Sequence, residues 1–182
     1  MKNLINILIL TTILVFSCKN ETSQTQEKET AQVEEEAPME LEVDFKFKTD
    51  KQDVFRVMMN NIEVDEIQKK NIHVFEDVIP TETTESMVMS FGPGNVSNNL
   101  IINLGAKEEK TIEIDYIMLT YGGQSQLVNA SQLQDFFILN KFISQDEQGR
   151  LKTQTVDGRH NPTIIAKRKL IGQLVNPPKP AQ

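Results

Sequence analysis

The sequence predicts an all-β domain, an antiparallel β-sandwich with one or two short helices, and three observations carry that expectation. From Leu41 to Phe47 apolar and charged side chains alternate at a period of two, which sets one face of a strand against a core and the other in water. Further short apolar runs follow between residues 54 and 119, bounded by Gly, Pro, Asn or charged turn segments, a spacing that suits sheets. Residues 39–175 make one ordinary domain, and a chain of 182 residues has no room for two large ones.

The chain opens on Met1-Lys2-Asn3, a short positive start, and continues as an apolar or weakly polar run from Leu4 to Phe16. That run has the length of the apolar region of a secretory signal peptide and falls short of the ~20 residues that a membrane-spanning helix needs. Val15-Phe16-Ser17-Cys18 follows directly. This block resembles the lipobox of bacterial lipoproteins, in which an aliphatic residue stands three positions before an invariant Cys and a small residue immediately before it. Phe16 departs from the small residue commonest at its position, while Ser17 keeps a small side chain next to the Cys. The resemblance implies removal of residues 1–17, a diacylglycerol on the Cys18 thiol, and usually a further acyl chain on the new amino group. Each buried methylene contributes about 0.8 kcal/mol, so two or three acyl chains make a lasting anchor. The expectation is a lipid-anchored protein of a Gram-negative-like cell envelope, with the outer membrane as its place and either the periplasm or the cell surface as its side. The competing reading is a free or buried thiol behind an ordinary signal peptide. As the chain's single Cys, Cys18 makes neither an intramolecular disulfide nor a Cys-based zinc site.

Residues 18–38 read as a tether. Lys19 to Pro38 is rich in Glu, Gln, Thr and Ser, with Val33 as its one large apolar side chain, too little to offset chain entropy by burial. Between residues 21 and 36 stand six Glu and one Lys, and their repulsion extends such a segment away from an anionic membrane. The stretch loosely resembles the acidic sorting signals that some lipoproteins carry after the Cys.

The domain begins with the alternating strand. Its apolar face is Leu41, Val43, Phe45 and Phe47, and Glu40, Glu42, Asp44, Lys46 and Lys48 form its wet face. Val54–Met59, Asn71–Val78, Ser86–Phe91, Leu100–Leu104 and Thr111–Leu119 are the next strands, and Met87, Met89 and Phe91 share a core-facing stripe. Turn chemistry at Gly92-Pro93-Gly94-Asn95 and Asn98-Asn99, then a short charged connection from Gly105 to Lys110, predict antiparallel neighbours across both connections. Beyond Tyr121-Gly122-Gly123 the pattern is mixed. Ser131 is suited to cap a helix over Gln132–Phe137, with a strand as the other reading. Phe142–Ser144 and Leu151–Val156 flank a turn-rich segment as a hairpin would. Asn161-Pro162 opens either a helix carrying Ala166, Leu170 and Leu174 or a final strand over Thr163–Lys169. Residues 176–182, Asn-Pro-Pro-Lys-Pro-Ala-Gln, form a tail unable to join a packed sheet.

Ile101-Ile102-Asn103-Leu104-Gly105 followed by Thr111-Ile112-Glu113-Ile114-Asp115-Tyr116-Ile117-Met118-Leu119 resembles the paired strands of jelly-roll modules in the carbohydrate-binding and galactose-binding-like families. The resemblance implies a jelly-roll-like sandwich and a sugar-binding role. Sugar sites in such modules stack a pyranose face on Trp or Tyr, and this chain has no Trp and two Tyr. Tyr116 shares a strand face with Ile112 and Ile114 and reads as buried; Tyr121, beside two glycines at a strand end, is either a ligand platform or turn packing. Polar density peaks at Asp157-Gly158-Arg159-His160-Asn161-Pro162, which offers acceptor, bidentate donor, imidazole and amide together. Asp157, Arg159, His160 and Asn161 are therefore ligand-binding candidates with Tyr121, although Asp-Gly and Asn-Pro are also ordinary turn chemistry.

No Gly-x-Ser-x-Gly elbow, His-Glu-x-x-His helix or phosphate loop occurs, so no catalytic residue is assigned and an enzyme is not expected. His73, between apolar strand residues, reads as exposed or hydrogen-bonded. Asp146 and Glu147 offer carboxylates to a structural Ca²⁺ but lack the spaced oxygens of an EF-hand loop, so no cofactor and no metal site are assigned. The net charge of −7 argues against nucleic acid as a partner. Charge is uneven: residues from 141 onward, including Lys167, Arg168 and Lys169, are net basic and residues 37–140 net acidic, an asymmetry suited to an acidic polysaccharide or lipid headgroups. The expected function is a non-catalytic binding domain for glycans on a membrane anchor, with a protein-interaction or structural subunit of an envelope complex as the alternative.

Overall fold

The computed structural model describes residues 39–61 and 70–176, all within one unit that runs from Glu35 to Gln182. The signal segment, Cys18, the tether and residues 177–182 lie outside the described residues. The domain is an antiparallel β-sandwich with two short helices, as the sequence predicts. Its strands are β1 (Glu40–Thr49), β2 (Asp53–Asn61), β3 (Lys70–Val78), β4 (Glu85–Pro93), β5 (Asn99–Asn103), β6 (Thr111–Tyr121), β7 (Gln124–Asn129), β8 (Phe137–Leu139), β9 (Ile143–Gln145), β10 (Leu151–Thr153) and β11 (Thr163–Ala166), with helices α1 (Leu133–Phe136) and α2 (Arg168–Val175). One sheet has the order β4-β1-β6-β10-β9, with β7 also paired to β6; the other has the order β3-β2-β5-β11-β8.

The core lies between the sheets and is built from the alternation itself. Leu41, Val43, Phe45 and Phe47 from β1 meet Phe55, Val57 and Met59 from β2, and Met87, Met89 and Phe91 from β4 join them. Phe45, Phe47 and Phe55 gather their rings at centroid distances of 4.6, 5.0 and 6.3 Å. Full burial of each such side chain contributes roughly 1.5–3 kcal/mol. Helix α2 adds Leu170, Ile171 and Leu174 to the same core.

Several expectations are corrected. β4 and β5, and β5 and β6, are not neighbours: β5 belongs to the second sheet and the strands on either side of it to the first. Both connections are therefore arches between sheets. The arch from Leu104 to Lys110 is pinned from the second sheet, where Asp53 at the head of β2 accepts the Lys107 amide at 3.0 Å and pairs with the Lys110 ammonium at 2.7 Å. Tyr116 does not share a face with Ile112 and Ile114, because the register of β6 against β1 shifts between Lys46 and Phe47. That bulge turns the strand over, so that Ile117, Leu119 and Tyr121 face the core while Tyr116 faces outward. Ser131 caps no helix: it lies inside a 3-10 turn over Ala130–Gln132, its hydroxyl donates to Asn129 Oδ1 at 2.7 Å, and α1 starts two residues later. The last segment combines both readings, a strand over Thr163–Ala166 and then a helix from Arg168.

Candidate functional site

Tyr121 is 8 % exposed and belongs to the core, so its ring packs the strand end and presents no platform. Gly122 and Gly123 beside it both have positive φ, 54° and 76°, the backbone of a tight two-residue hairpin between β6 and β7. Asp157 and Gly158 do the same job elsewhere. Their φ values are 52° and 69°, and Val156 and Arg159 on either side exchange backbone hydrogen bonds of 2.9 and 3.0 Å. The turn geometry thus accounts for Asp157, whose exposed carboxylate stands 3.3 Å from Lys141 Nζ, and for the exposed Arg159. His160 is half-buried, and neither ring nitrogen has a partner among the described residues. Asn161 is the one candidate from this loop that lines a cleft on the second sheet.

That cleft, about 480 Å³, lies on the outer face of the second sheet and is lined by Asp53, Val54, Arg56, Phe75, Asn103, Ala106, Lys107 and Asn161. Strand register explains the set. Arg56 on β2 stands opposite Phe75 of β3 on one side and Asn103 of β5 on the other, and all three project away from the core-facing Phe55, Val57 and Ile102. The Arg56 guanidinium lies 5.8 Å from the centre of the Phe75 ring, which is 57 % exposed. Asn103, although on the outer face, is covered by the Gly105–Lys107 arch. Its Nδ2 donates to Asn161 Oδ1 at 2.8 Å and its Oδ1 accepts the Gly105 amide at 3.2 Å. This fixes Asn161 with its oxygen inward. Asn140 completes the support by donating to the Asn161 carbonyl at 2.8 Å.

Asp53, at the end of the cleft, belongs to a buried ion pair. Asp53 and Lys110 have side chains 2 % and 0 % exposed and meet at 2.7 Å. Val54 and Lys107 donate their amides to the same carboxylate at 2.7 and 3.0 Å, and Lys110 also donates to the Glu108 carbonyl at 2.7 Å. Burial works to raise the Asp53 pKa, but the hydrogen bond from Lys110, the two amides and the Lys110 charge together hold it below 3.8. Gly105, at φ 81°, passes so close that a Cβ there would stand 2.2 Å from Asp53 Cγ. Sequence reasoning started this strand at Val54 and so passed over Asp53, yet the signal was there: Asp53 has the parity of Phe55, Val57 and Met59, the inward face.

Beside the cleft the same face carries an apolar row in register, Met58 on β2, Ile101 on β5, Ile165 on β11 and Ile138 on β8, with His73 of β3 at its end. Ile138 is 52 % exposed.

Asp146, weighed as a calcium ligand, spends its oxygens inside the hairpin between β9 and β10. It accepts the amides of Gln148 and Arg150 at 3.1 and 2.9 Å and pairs with the Arg150 guanidinium at 2.9 Å. Among the described residues no group of three or more His, Cys, Asp or Glu is placed to hold a metal ion, and no helix is long and apolar enough to cross a membrane. No protein-family model, curated protein or solved structure matches the chain.

Proposed function

We propose that this protein is a lipid-anchored envelope protein whose sandwich is a non-catalytic glycan-binding domain, with the outer face of the second sheet as its binding face. One observation carries the reading: an exposed aromatic ring, Phe75, stands in a cleft beside a guanidinium and a fixed amide, Arg56 and Asn161. A sugar presents an apolar C–H face and a rim of hydroxyls, and those groups match it, with Phe75 in the place that Trp or Tyr usually takes. Among the described residues that line the cleft the one carboxylate is Asp53, and it is committed to Lys110 and two backbone amides. The test is a glycan array probed with the unlipidated mature chain. A specific hit that Phe75→Ala abolishes, at unchanged melting temperature, supports the reading; silence across the array removes it.

A second reading, a protein partner on the same face, is favoured by the apolar row from Met58 to Ile138. Cross-linking on intact cells through that row, compared with an Ile138→Lys variant, tests it. The anchor is tested separately: Cys18→Ser should leave the chain unprocessed or released, and normal membrane attachment of that variant overturns it.

A further inference from the structure

The lining of the cleft carries two cations, Arg56 and Lys107, and one acid, Asp53, in a chain that is acidic overall. The protein carries a net charge of −7, and among the described residues some surface cations are paired, such as Lys46 with Asp115 and Arg150 with Asp146, while others, such as Arg159 and Arg168, are not. Arg56 and Lys107, which line the cleft, have no ion pair among the described residues. Asp53 is the acid of the cleft, and the buried Lys110 cancels it. Two cations thus line one concavity, with the exposed Asp77 of β3 beside it, opposite Val54.

Arg56 is also held where an anion would have to meet it. Phe75 lies across its guanidinium on one side, and the register with Asn103 holds the strand beneath the arch on the other. Its Nε is buried and has no acceptor among the described residues, although a buried donor ordinarily finds one. A guanidinium presents its N–H groups as a planar fork suited to two oxygens of one anion, and Lys107 on the arch adds a second positive charge at the rim. Asn161 Oδ1 is taken by Asn103, which leaves its Nδ2, a donor again, without a partner among the described residues. The polar lining is a set of donors without a free acceptor carboxylate.

We infer that the cleft selects an acidic sugar, one whose carboxylate or sulfate sits on Arg56 and Lys107 while a hydroxyl accepts from Asn161 and the sugar's C–H face rests on Phe75. The inference rests on the glycan-binding reading and narrows it to a substrate class.

Matched pairs of polymers separate the two. The unlipidated mature chain is run in affinity electrophoresis against polygalacturonate and its fully methyl-esterified twin, and against dextran sulfate and dextran. Retardation by the acidic member, weaker in high salt and about tenfold or more weaker for Arg56→Gln, is the expected result, since one charge-assisted hydrogen bond is worth about that much. Which acidic polymer binds tells carboxylate from sulfate. Lys107→Gln, on the arch surface, should weaken binding as well and serves if Arg56→Gln lowers the melting temperature. Arg168→Gln, an exposed cation on α2, should change nothing; an equal loss there would mean diffuse charge attraction and overturn the inference. Equal retardation by the acidic and uncharged twins also overturns it, while leaving a glycan-binding domain standing. Failure of all four polymers together with a silent array removes both.

Discussion

Removing the Asp53 carboxylate is expected to cost this domain more than any single change on its surface. Lys110 has a fully buried side chain whose ammonium meets Asp53 at 2.7 Å and, besides it, the Glu108 carbonyl at 2.7 Å. In Asp53→Ala that ammonium stays buried with one carbonyl partner, and the amides of Val54 and Lys107 lose their acceptor. Breaking a buried pair on one side costs about 3–5 kcal/mol. For a domain of this size 1 kcal/mol moves the midpoint by roughly 3–5 °C, so the melting temperature should fall by about 10–20 °C. Lys110→Met should cost less, because Asp53 keeps both amide donors. The loss also has a pH signature. Since the folded-state pKa of Asp53 lies below 3.8, its value in the unfolded chain, the pair's stabilisation is complete above about pH 4 and disappears as pH falls through the folded pKa. Asp53→Ala should therefore flatten the acid side of the stability profile. Urea and thermal melts of the unlipidated mature chain from pH 2 to 7 measure both effects. A variant within about 1 kcal/mol of the parent at pH 7 would refute the claim that this pair pins the arch.

Three further outcomes follow from the same packing. Gly105→Ala places a Cβ 2.2 Å from Asp53 Cγ at a φ of 81° and should destabilise by about 2–4 kcal/mol, checked by denaturant melts; a near-neutral result would mean that the arch does not rest on Asp53. Tyr121→Ala should cost about 3–5 kcal/mol in the same melts, as loss of a buried ring does. Calcium and chelator should leave the melting temperature where it is, because Asp146 is held below the usual carboxylate range by bonds from Arg150 and Gln148 that outweigh its desolvation; a calcium-dependent rise in scanning calorimetry would show a site elsewhere.

Period-two alternation made β1 and the core stripe of β4 legible, since one charged and one apolar face leave a single way to lie on a sandwich. The arches were not legible. Turn residues announce that the chain reverses, but whether it returns to the same sheet or crosses to the other depends on what holds the connection. Here that is Asp53, fifty residues earlier in the sequence than the segment it pins. The bulge near Tyr116 was harder to place: Ile112 and Ile114 have one parity and Ile117 and Leu119 the other, but which face Tyr116 takes is decided only by the register with β1. β7 and β8 were missed because Gln124–Asn129 and the three residues of β8 carry too little pattern to stand out. In the cleft only Asn161 had been singled out, since a site assembled from β2, β3, β5 and an arch has no local spacing to find.

The two outer faces of the sandwich show what a solvated face looks like here and how the cleft face departs from it. On the first sheet Asp44 accepts from Tyr116 at 2.9 Å and from Ser86, Lys46 pairs with Asp115 at 3.2 Å, and the Lys46 ammonium lies 5.6 Å from the Tyr116 ring centre. Charges of both signs satisfy one another across neighbouring strands, the arrangement expected where water is the only partner. The second sheet keeps no such balance. It aligns Met58, Ile101, Ile165 and Ile138 across four strands, sets an exposed Phe75 next to them, and places Arg56 and Lys107 in a cleft where neither has an ion pair among the described residues. The first sheet exposes apolar side chains as well, Val88 at 60 % and Leu127 at 47 %, so an exposed apolar residue does not by itself mark a face for recognition. The convergence of a fixed amide, an aromatic ring and two cations in one cleft is the physical reason to place recognition on the second sheet.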